Sequence, residues 1–400
     1  LSTVAGWFGG GEPIPLLQIV LPIGISFYTF MGVSYIIDIH REKLTNMAFG
    51  LGTHRCLGMN AARAELETGI NPLLAALPNL IGVIVITFIL TRALPGDPAT
   101  YFAGGAATTE AIEQVRVQLG LDKPLIEQFF RYVGALASGD LGLSLTTGQP
   151  VLQELLQRLP ASLEMVLLAL VLACAIALPL GVMAATRPGS WIDQLCRLIT
   201  TAGVSLPTFF TGLLLSYVFY FLLGWAPSPL GRLDPLYSPP PPWSGMYLID
   251  AAIAGDAALW WACCKQLILP VATMAIFVLA PIARMTRASM LAVLSADFVR
   301  TARASGLAPF TVLVTYALRN ALLPVVTTLG MVFGFMLGSS VIVEKVFGWP
   351  GVGSYAIDAL TASDYAPVQG FVLAMGILFV LVNLLIDVLY VLIDPRVSVE

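Results

Sequence analysis

Asp297-Phe298-Val299-Arg300-Thr301-Ala302-Arg303-Ala304-Ser305-Gly306, followed by Ala317-Leu318-Arg319-Asn320-Ala321-Leu322-Leu323-Pro324, is a charged, helix-forming insert between two long apolar runs. Arg284, Arg287, Arg300, Arg303 and Arg319 stand in and around it against the single acid Asp297. An arginine excess in a short loop beside apolar spans marks the cytoplasmic side of a membrane. Alanines at close-contact positions and a stopping Gly306 predict a short helix that docks into another protein.

Composition agrees with a membrane setting. The chain is 58% apolar and only 11% charged, with a mean hydropathy of +0.86. Soluble domains hold about 45–50% apolar and about 25% charged residues. Net charge is -4 and the lysines are Lys43, Lys123, Lys265 and Lys345, which leaves no basic surface for nucleic acid. Of the cysteines, Cys174 and Cys196 fall in or beside apolar runs and read as free buried thiols. Cys263 and Cys264 are adjacent, a poor geometry for pairing with each other, and no histidine lies near them to complete a metal site.

Apolar runs lie near 73–94, 162–185, 198–223, 266–283, 321–343 and 368–393. Each is close to the roughly 20 residues that a helix needs to cross a bilayer core. The fold class expected is therefore all-α: a polytopic bundle of six spans with both ends cytoplasmic. The acid-rich stretch from about 96 to 160 falls outside, and the link Thr186–Ser190 inside. The Pro239–Pro242 stretch falls outside, and the tail Asp394-Pro395-Arg396 inside.

The arginine-rich insert resembles the cytoplasmic coupling loop of binding-protein-dependent ABC importer permeases. That family's consensus reads Glu-Ala-Ala, three residues, Gly, then a Leu-Pro. Here Arg300-Thr301-Ala302 stands in place of Glu-Ala-Ala, Gly306 is in register, and Leu323-Pro324 comes later than the consensus. The Arg-Thr-Ala-Arg-Ala form is typical of the dipeptide/oligopeptide/nickel branch, so the absent Glu indicates a subfamily. The resemblance covers roughly 71–400 and recurs in Leu94–Pro98, Leu119–Pro124, Gly139–Ser144 and Val346–Gly353. It implies a bacterial inner-membrane subunit that moves peptides, nickel complexes or a related small solute. The implied partners are a second homologous permease, two ATP-binding subunits, a periplasmic or extracellular solute-binding protein and membrane lipid. It also implies that Asp297, Arg300, Thr301, Ala302, Arg303, Gly306 and Leu307 form the ATPase-coupling site.

No ATP chemistry is encoded in the chain itself. A phosphate-cradling loop needs Gly-Lys-Ser/Thr, and none of the lysines follows a glycine. A helix near 297–306 is expected to sit in a groove of a separate ATPase and transmit its closure to the spans. Packing of Ala302, Ala304 and Leu307 is expected to outweigh exposed ion pairs, each worth about 0–1 kcal/mol. Pro78, Pro179, Pro207, Pro270 and Pro324 read as helix kinks, either plain bundle packing or pivots for spans that move as the pore switches access. Gly330, Gly334 and Gly338 share one face of the fifth span and permit close helix approach. Asn383 and Asp387 share a face of the last span, where an acid must meet a partner or water, which leaves a cytoplasm-proximal structural role and a translocation-path role both open.

Residues 1–70 carry two shorter resemblances. Leu21–Phe30 with Ser34–Asp38 is similar to a piece of the membrane-bound O-acyltransferases, within an apolar fragment of residues 1–45 long enough to form an extra N-terminal span. Phe49–Gly58 and Ala62–Leu66 resemble the haem-ligand loop of haem-thiolate cytochrome monooxygenases, where Cys56 would be the thiolate ligand. The histidines His40 and His54 match no acyltransferase motif, and the fragment 46–70 is too short to enclose haem, so no cofactor is expected. Three signatures end to end read as a fusion or a mis-assembled reading frame, and the start lacks the basic region and cleavage site of a signal peptide. The expected domains are thus 1–45, 46–70 and a permease domain at 71–400. The rival readings are an inactive acyltransferase or haem-thiolate monooxygenase fragment, and a passive channel.

Overall fold

The computed structural model describes residues 81–89, 99, 107–118, 120–362 and 364–393. The fragments 1–45 and 46–70, Cys56, Pro78 and the Leu94–Pro98 motif lie outside the described residues. The described chain is helical throughout apart from its connections. Residues 81–89 are helical, followed by α1 (Thr109–Gln118) and α2 (Leu125–Ala137). Then come α3 (Val151–Thr186), α4 (Trp191–Ser205), α5 (Thr208–Leu222) and α6 (Tyr247–Ala254). The second half holds α7 (Ala257–Leu294), α8 (Asp297–Ala304), α9 (Pro309–Val346), α10 (Val352–Thr361) and α11 (Tyr365–Ile393).

Among the described residues, α3, α7, α9 and the Tyr365–Ile386 part of α11 are long and apolar enough to cross a membrane. The 36 residues of α3 extend about 54 Å at about 1.5 Å each, beyond a hydrocarbon core of about 30 Å. The apolar runs at 162–185, 266–283 and 321–343 are therefore the membrane-depth portions of longer rods. Their flanking turns continue as helix because a hydrogen-bonded backbone needs no apolar side chains outside the lipid.

The run at 198–223 departs from the expectation of one span. Leu206 is extended at φ -102°, ψ 130°, and Pro207 follows at φ -59°, ψ 141°, so α4 stops and α5 starts afresh. The proline ring disfavours helical geometry in the residue before it, which makes Pro207 a break and not a kink. Pro179, Pro270 and Pro324 do lie inside continuous helices, joined by Pro160 and Pro281. Two segments, Ser216–Leu222 within α5 and Val312–Leu318 within α9, are π-helical.

The chain divides into two compact units. In the one that holds Leu77–Glu154 and Tyr355–Ala374, Phe88 packs edge-on against Phe129 at 5.2 Å. Buried Asp364 accepts hydrogen bonds from the Ser144 hydroxyl at 2.7 Å and the Thr146 amide at 3.1 Å. Buried Glu154 accepts from Thr147 Oγ1 at 2.9 Å and from the Tyr355 hydroxyl.

The other unit holds Leu155–Ser354 and the chain from Met375. Its helices meet over small residues. A Cβ on Gly181 of α3 would stand 2.7 Å from Thr286 Cβ and 2.9 Å from the Ala283 carbonyl of α7. One on Gly203 of α4 would stand 2.8 Å from the Ile276 carbonyl. Gly330 lets Ile386 and Asn383 of α11 approach α9, as its glycine stripe predicts, while the Asp387 side chain lies outside the described residues. At one end of the unit Glu164 binds Arg232 at 2.6 Å, and Glu344 accepts from Ser162 Oγ at 2.6 Å.

Candidate functional site: the α8 loop

Two residues, Ser295 and Ala296, separate α7 from α8. Ala296 is extended at φ -72°, ψ 151°, so the chain turns sharply before the helix restarts at Asp297. The far end closes by a two-bond cap: the Gly306 amide donates to the Arg303 carbonyl at 3.0 Å, and the Leu307 amide to Ala302 at 3.4 Å. This pairing needs a left-handed residue in the middle, and Gly306 supplies it at φ +76°. Nothing lies within 4 Å of where a Gly306 Cβ would be, so the demand on this glycine is conformational and not steric.

All seven coupling residues expected from the sequence fall on this one helix and its cap, but they do not share a face. Val299 and Ala302 are buried with Val312 from the π segment of α9, against Val293 and Leu294 at the end of α7. Ala302 therefore holds α8 to its own chain; it is not free to contact a partner as expected. Asp297, Arg300, Thr301, Arg303, Ala304, Gly306 and Leu307 are exposed. Arg300 pairs with Asp297 at 3.2 Å, an exposed pair one turn apart, and the Thr301 hydroxyl donates to the Asp297 carbonyl at 3.0 Å.

The outward face also carries aromatic side chains that charge and glycine patterns did not single out. Phe298 is 45% exposed and Phe310, just past the cap, 74% exposed. Both rings are left uncovered by the fold of this chain.

The five arginines separate by geometry. Arg284, Arg300, Arg303 and Arg319 are exposed. Arg287 is committed to Asp193, with Nε at 2.5 Å from Oδ1 and Nη2 at 2.8 Å from Oδ2. Asp193 is fully buried and also receives the Gly189 amide at 3.0 Å and Arg197 at 3.2 Å. The Arg287 guanidinium, with the Gly189 amide, holds this carboxyl well below the usual carboxylate range, against the opposing effect of burial. Two stretches expected on the cytoplasmic side, the Thr186–Ser190 link and the end of α7, are thus clasped together. Sequence reasoning passed over Asp193, although Ser190-Trp191-Ile192-Asp193 has the Ser-x-x-acid form of a helix start. Ser190 does cap α4, accepting from the Asp193 amide at 3.4 Å.

Comparison with known proteins completes the assignment. Residues 177–399 match the family model of the binding-protein-dependent transport system inner membrane component, and residues 70–166 match the model of that component's N-terminal region. The probable D,D-dipeptide transport system permease protein of Escherichia coli (strain K12) is 45% identical over 317 residues, 79% of this chain and 93% of that protein. The di/tripeptide transport system permease protein of Pseudomonas aeruginosa (strain UCBPP-PA14) is 43% identical over 322 residues, 80% of this chain and 95% of that protein. The dipeptide transport system permease protein of Alkalihalophilus pseudofirmus is 39% identical over 329 residues, 82% of this chain and 97% of that protein. With its membrane-length helices and its capped loop helix, this chain belongs to the inner-membrane permease subunits of binding-protein-dependent ABC importers.

Proposed function

We propose that the chain, through its permease domain at 71–400, imports dipeptides or short oligopeptides together with a second permease, two ATP-binding subunits and a solute-binding protein. The observation that carries this reading is near-full-length similarity to permeases whose names specify dipeptide and tripeptide transport. ATP hydrolysis resides in the partner subunits, and α8 receives their motion. The outward residues Asp297, Arg300, Thr301, Arg303, Gly306 and Leu307, extended by Phe298 and Phe310, are the contact. Val299 and Ala302 fasten the helix to α7 and α9, so a push on α8 reaches two membrane-length rods at once. Access then alternates between the two faces of the membrane.

The π segment Val312–Leu318 supports this reading. It sits directly between the α8 cap and Pro324, and π turns inside α-helices recur at functional sites. The test is reconstitution of the chain with its partner permease, ATPases and receptor in vesicles, followed by uptake of labelled dipeptides and of nickel complexes. ATP-dependent dipeptide accumulation that requires the receptor is the expected result. Accumulation without ATP would instead indicate a passive channel, and uptake confined to nickel would reassign the cargo.

A further inference from the structure

The segment between α5 and α7 buries part of its charge yet leaves several of its largest apolar side chains uncovered. Arg232 and Asp250 are buried, and Asp234 and Asp256 are engaged by backbone amides. Arg232 is buried against Glu164 at 2.6 Å, donates to the Gly245 carbonyl at 2.9 Å and lies 3.7 Å over the Tyr247 ring. Asp250 is fully buried and accepts from the Ser244 amide and hydroxyl, each at 2.8 Å, and from the Gly245 amide at 3.0 Å. Asp234 turns back on the Leu236 amide at 2.9 Å, and Asp256 caps α7 through the Leu259 amide at 2.9 Å. Leu233, Tyr247 and Leu248 pack around Ala251, Leu259 and Cys263, but the largest apolar side chains are uncovered. Leu236 is 90% exposed, Trp225 75% and Trp243 73%, with Ile253 and Trp261 also exposed.

A loop in bulk water has no reason to bury its ions and display its indoles. An exposed apolar patch marks a partner surface, and here the choice of residues indicates which. Tryptophan is enriched where a flat amphipathic ring can lie between head groups and acyl chains. The segment also adjoins apolar helices at both ends: it leaves the shorter α5 at Leu222 and enters the membrane-length α7 at Ala257. Trp260 and Trp261 stack at 6.5 Å in the first turns of α7, and the Lys265 ammonium lies 5.9 Å from the Trp261 ring. Aromatic rings and a cation thus stand at the start of α7, directly after the loop in the chain.

We propose that residues 225–261 lie flat in the head-group boundary of the bilayer, in the leaflet opposite α8, as a lipid-bound collar and not as a loop projecting into water. The leaflet rests on the sidedness read from the arginine-rich loop; the lipid contact does not. The experiment uses the assembled importer in vesicles that contain a phospholipid with a photoactivatable diazirine near its head group, with adducts mapped by mass spectrometry. Adducts on peptides covering 225–261, retained when excess solute-binding protein is added, are expected. Absence of adducts there while α3 is labelled would overturn the proposal. Their loss on receptor addition would overturn it too, assigning the surface to a protein partner. A second readout attaches a fluorophore to a Leu236→Cys variant with the native cysteines replaced, leaving every tryptophan in place. Its fluorescence should be quenched by shallow brominated lipid and shielded from aqueous iodide; strong iodide quenching without lipid quenching would contradict the collar. Vesicles with the probe lipid in one leaflet then report sidedness separately, so an inverted topology and a solvated loop give different results.

Discussion

Gly306 and Asp193 show how a single residue sets the local geometry of α8 and α4. Gly306 stands at φ +76° with open space around it, so replacements differ by backbone preference alone. A β-branched side chain pays about 1–2 kcal/mol in the left-handed region, whereas asparagine enters it readily. Gly306→Val should therefore open the cap and redirect the exit from α8, raising ATP consumed per peptide imported several-fold, while Gly306→Asn stays near wild type. Measuring hydrolysis and uptake on the same vesicles checks this, and equal coupling in both variants would remove the role given to the cap. Asp193 makes the opposite kind of prediction. Its carboxyl is held below the ordinary value of about 3.9, so the folded state binds fewer protons than the unfolded one. Stability from the Arg287 pair is then present in full above about pH 4 and fades as pH falls through the lowered value. Removing one partner of a buried pair costs about 3–5 kcal/mol, nearer about 3 here because Arg287 keeps 20% exposure. Thermal unfolding of Asp193→Asn in detergent should show a gap from wild type that is constant between pH 5 and 8 and narrows toward pH 3. A gap that widened with acid would have the wrong sign for this pair.

At the scale of elements, α8 was legible because its turn signals are local: an acid at its start, arginines along it and Gly306 just past its end. Which face it shows outward was not legible. Eight residues in two turns allow several burial patterns, and the choice is made by Val312 and Leu294, which only the folded chain brings under Val299 and Ala302. The aromatic contribution escaped for the same reason, since Phe298 and Phe310 read as ordinary apolar residues until the fold leaves them uncovered. Phe298→Ala and Phe310→Ala should each weaken retention of the ATP-binding subunits on affinity purification by about tenfold, given that central aromatic contacts are worth about 1–2 kcal/mol or more. Arg300→Ala removes an exposed pair of about 0–1 kcal/mol and should change retention little. The reverse ranking would mean that charge and not packing holds the ATPase. Close helix contacts were foreseen at Gly330 but missed at Gly181 and Gly203, where a single glycine faces backbone of α7 and no repeat advertises it.

For the whole molecule, hydropathy carried most of the information because a bilayer permits few backbone solutions: unsatisfied amides are too costly in lipid, so apolar runs become helices. It gave the existence of the long helices but neither their full length nor the interruption at Pro207. Those depend on polar flanks and on one steric clash, both invisible to an average over apolar residues. Charge bias carries the expected sidedness, and that yields the most decisive test. The loop at Ser305 is expected inside and the turn at Gln149 outside; both side chains are exposed. With Cys56, Cys174, Cys196, Cys263 and Cys264 replaced, Ser305→Cys and Gln149→Cys variants can be labelled in intact cells with a membrane-impermeant maleimide. Gln149→Cys should react at once and Ser305→Cys only after the membrane is opened. The arginines explain the asymmetry: Arg300, Arg303 and Arg319 lie exposed beside α8, and each added basic residue near a span end makes translocation of that end less favourable. Reaction of Ser305→Cys in sealed cells would put α8 out of reach of any cytoplasmic ATPase, and the coupling role proposed for it would then have to be abandoned.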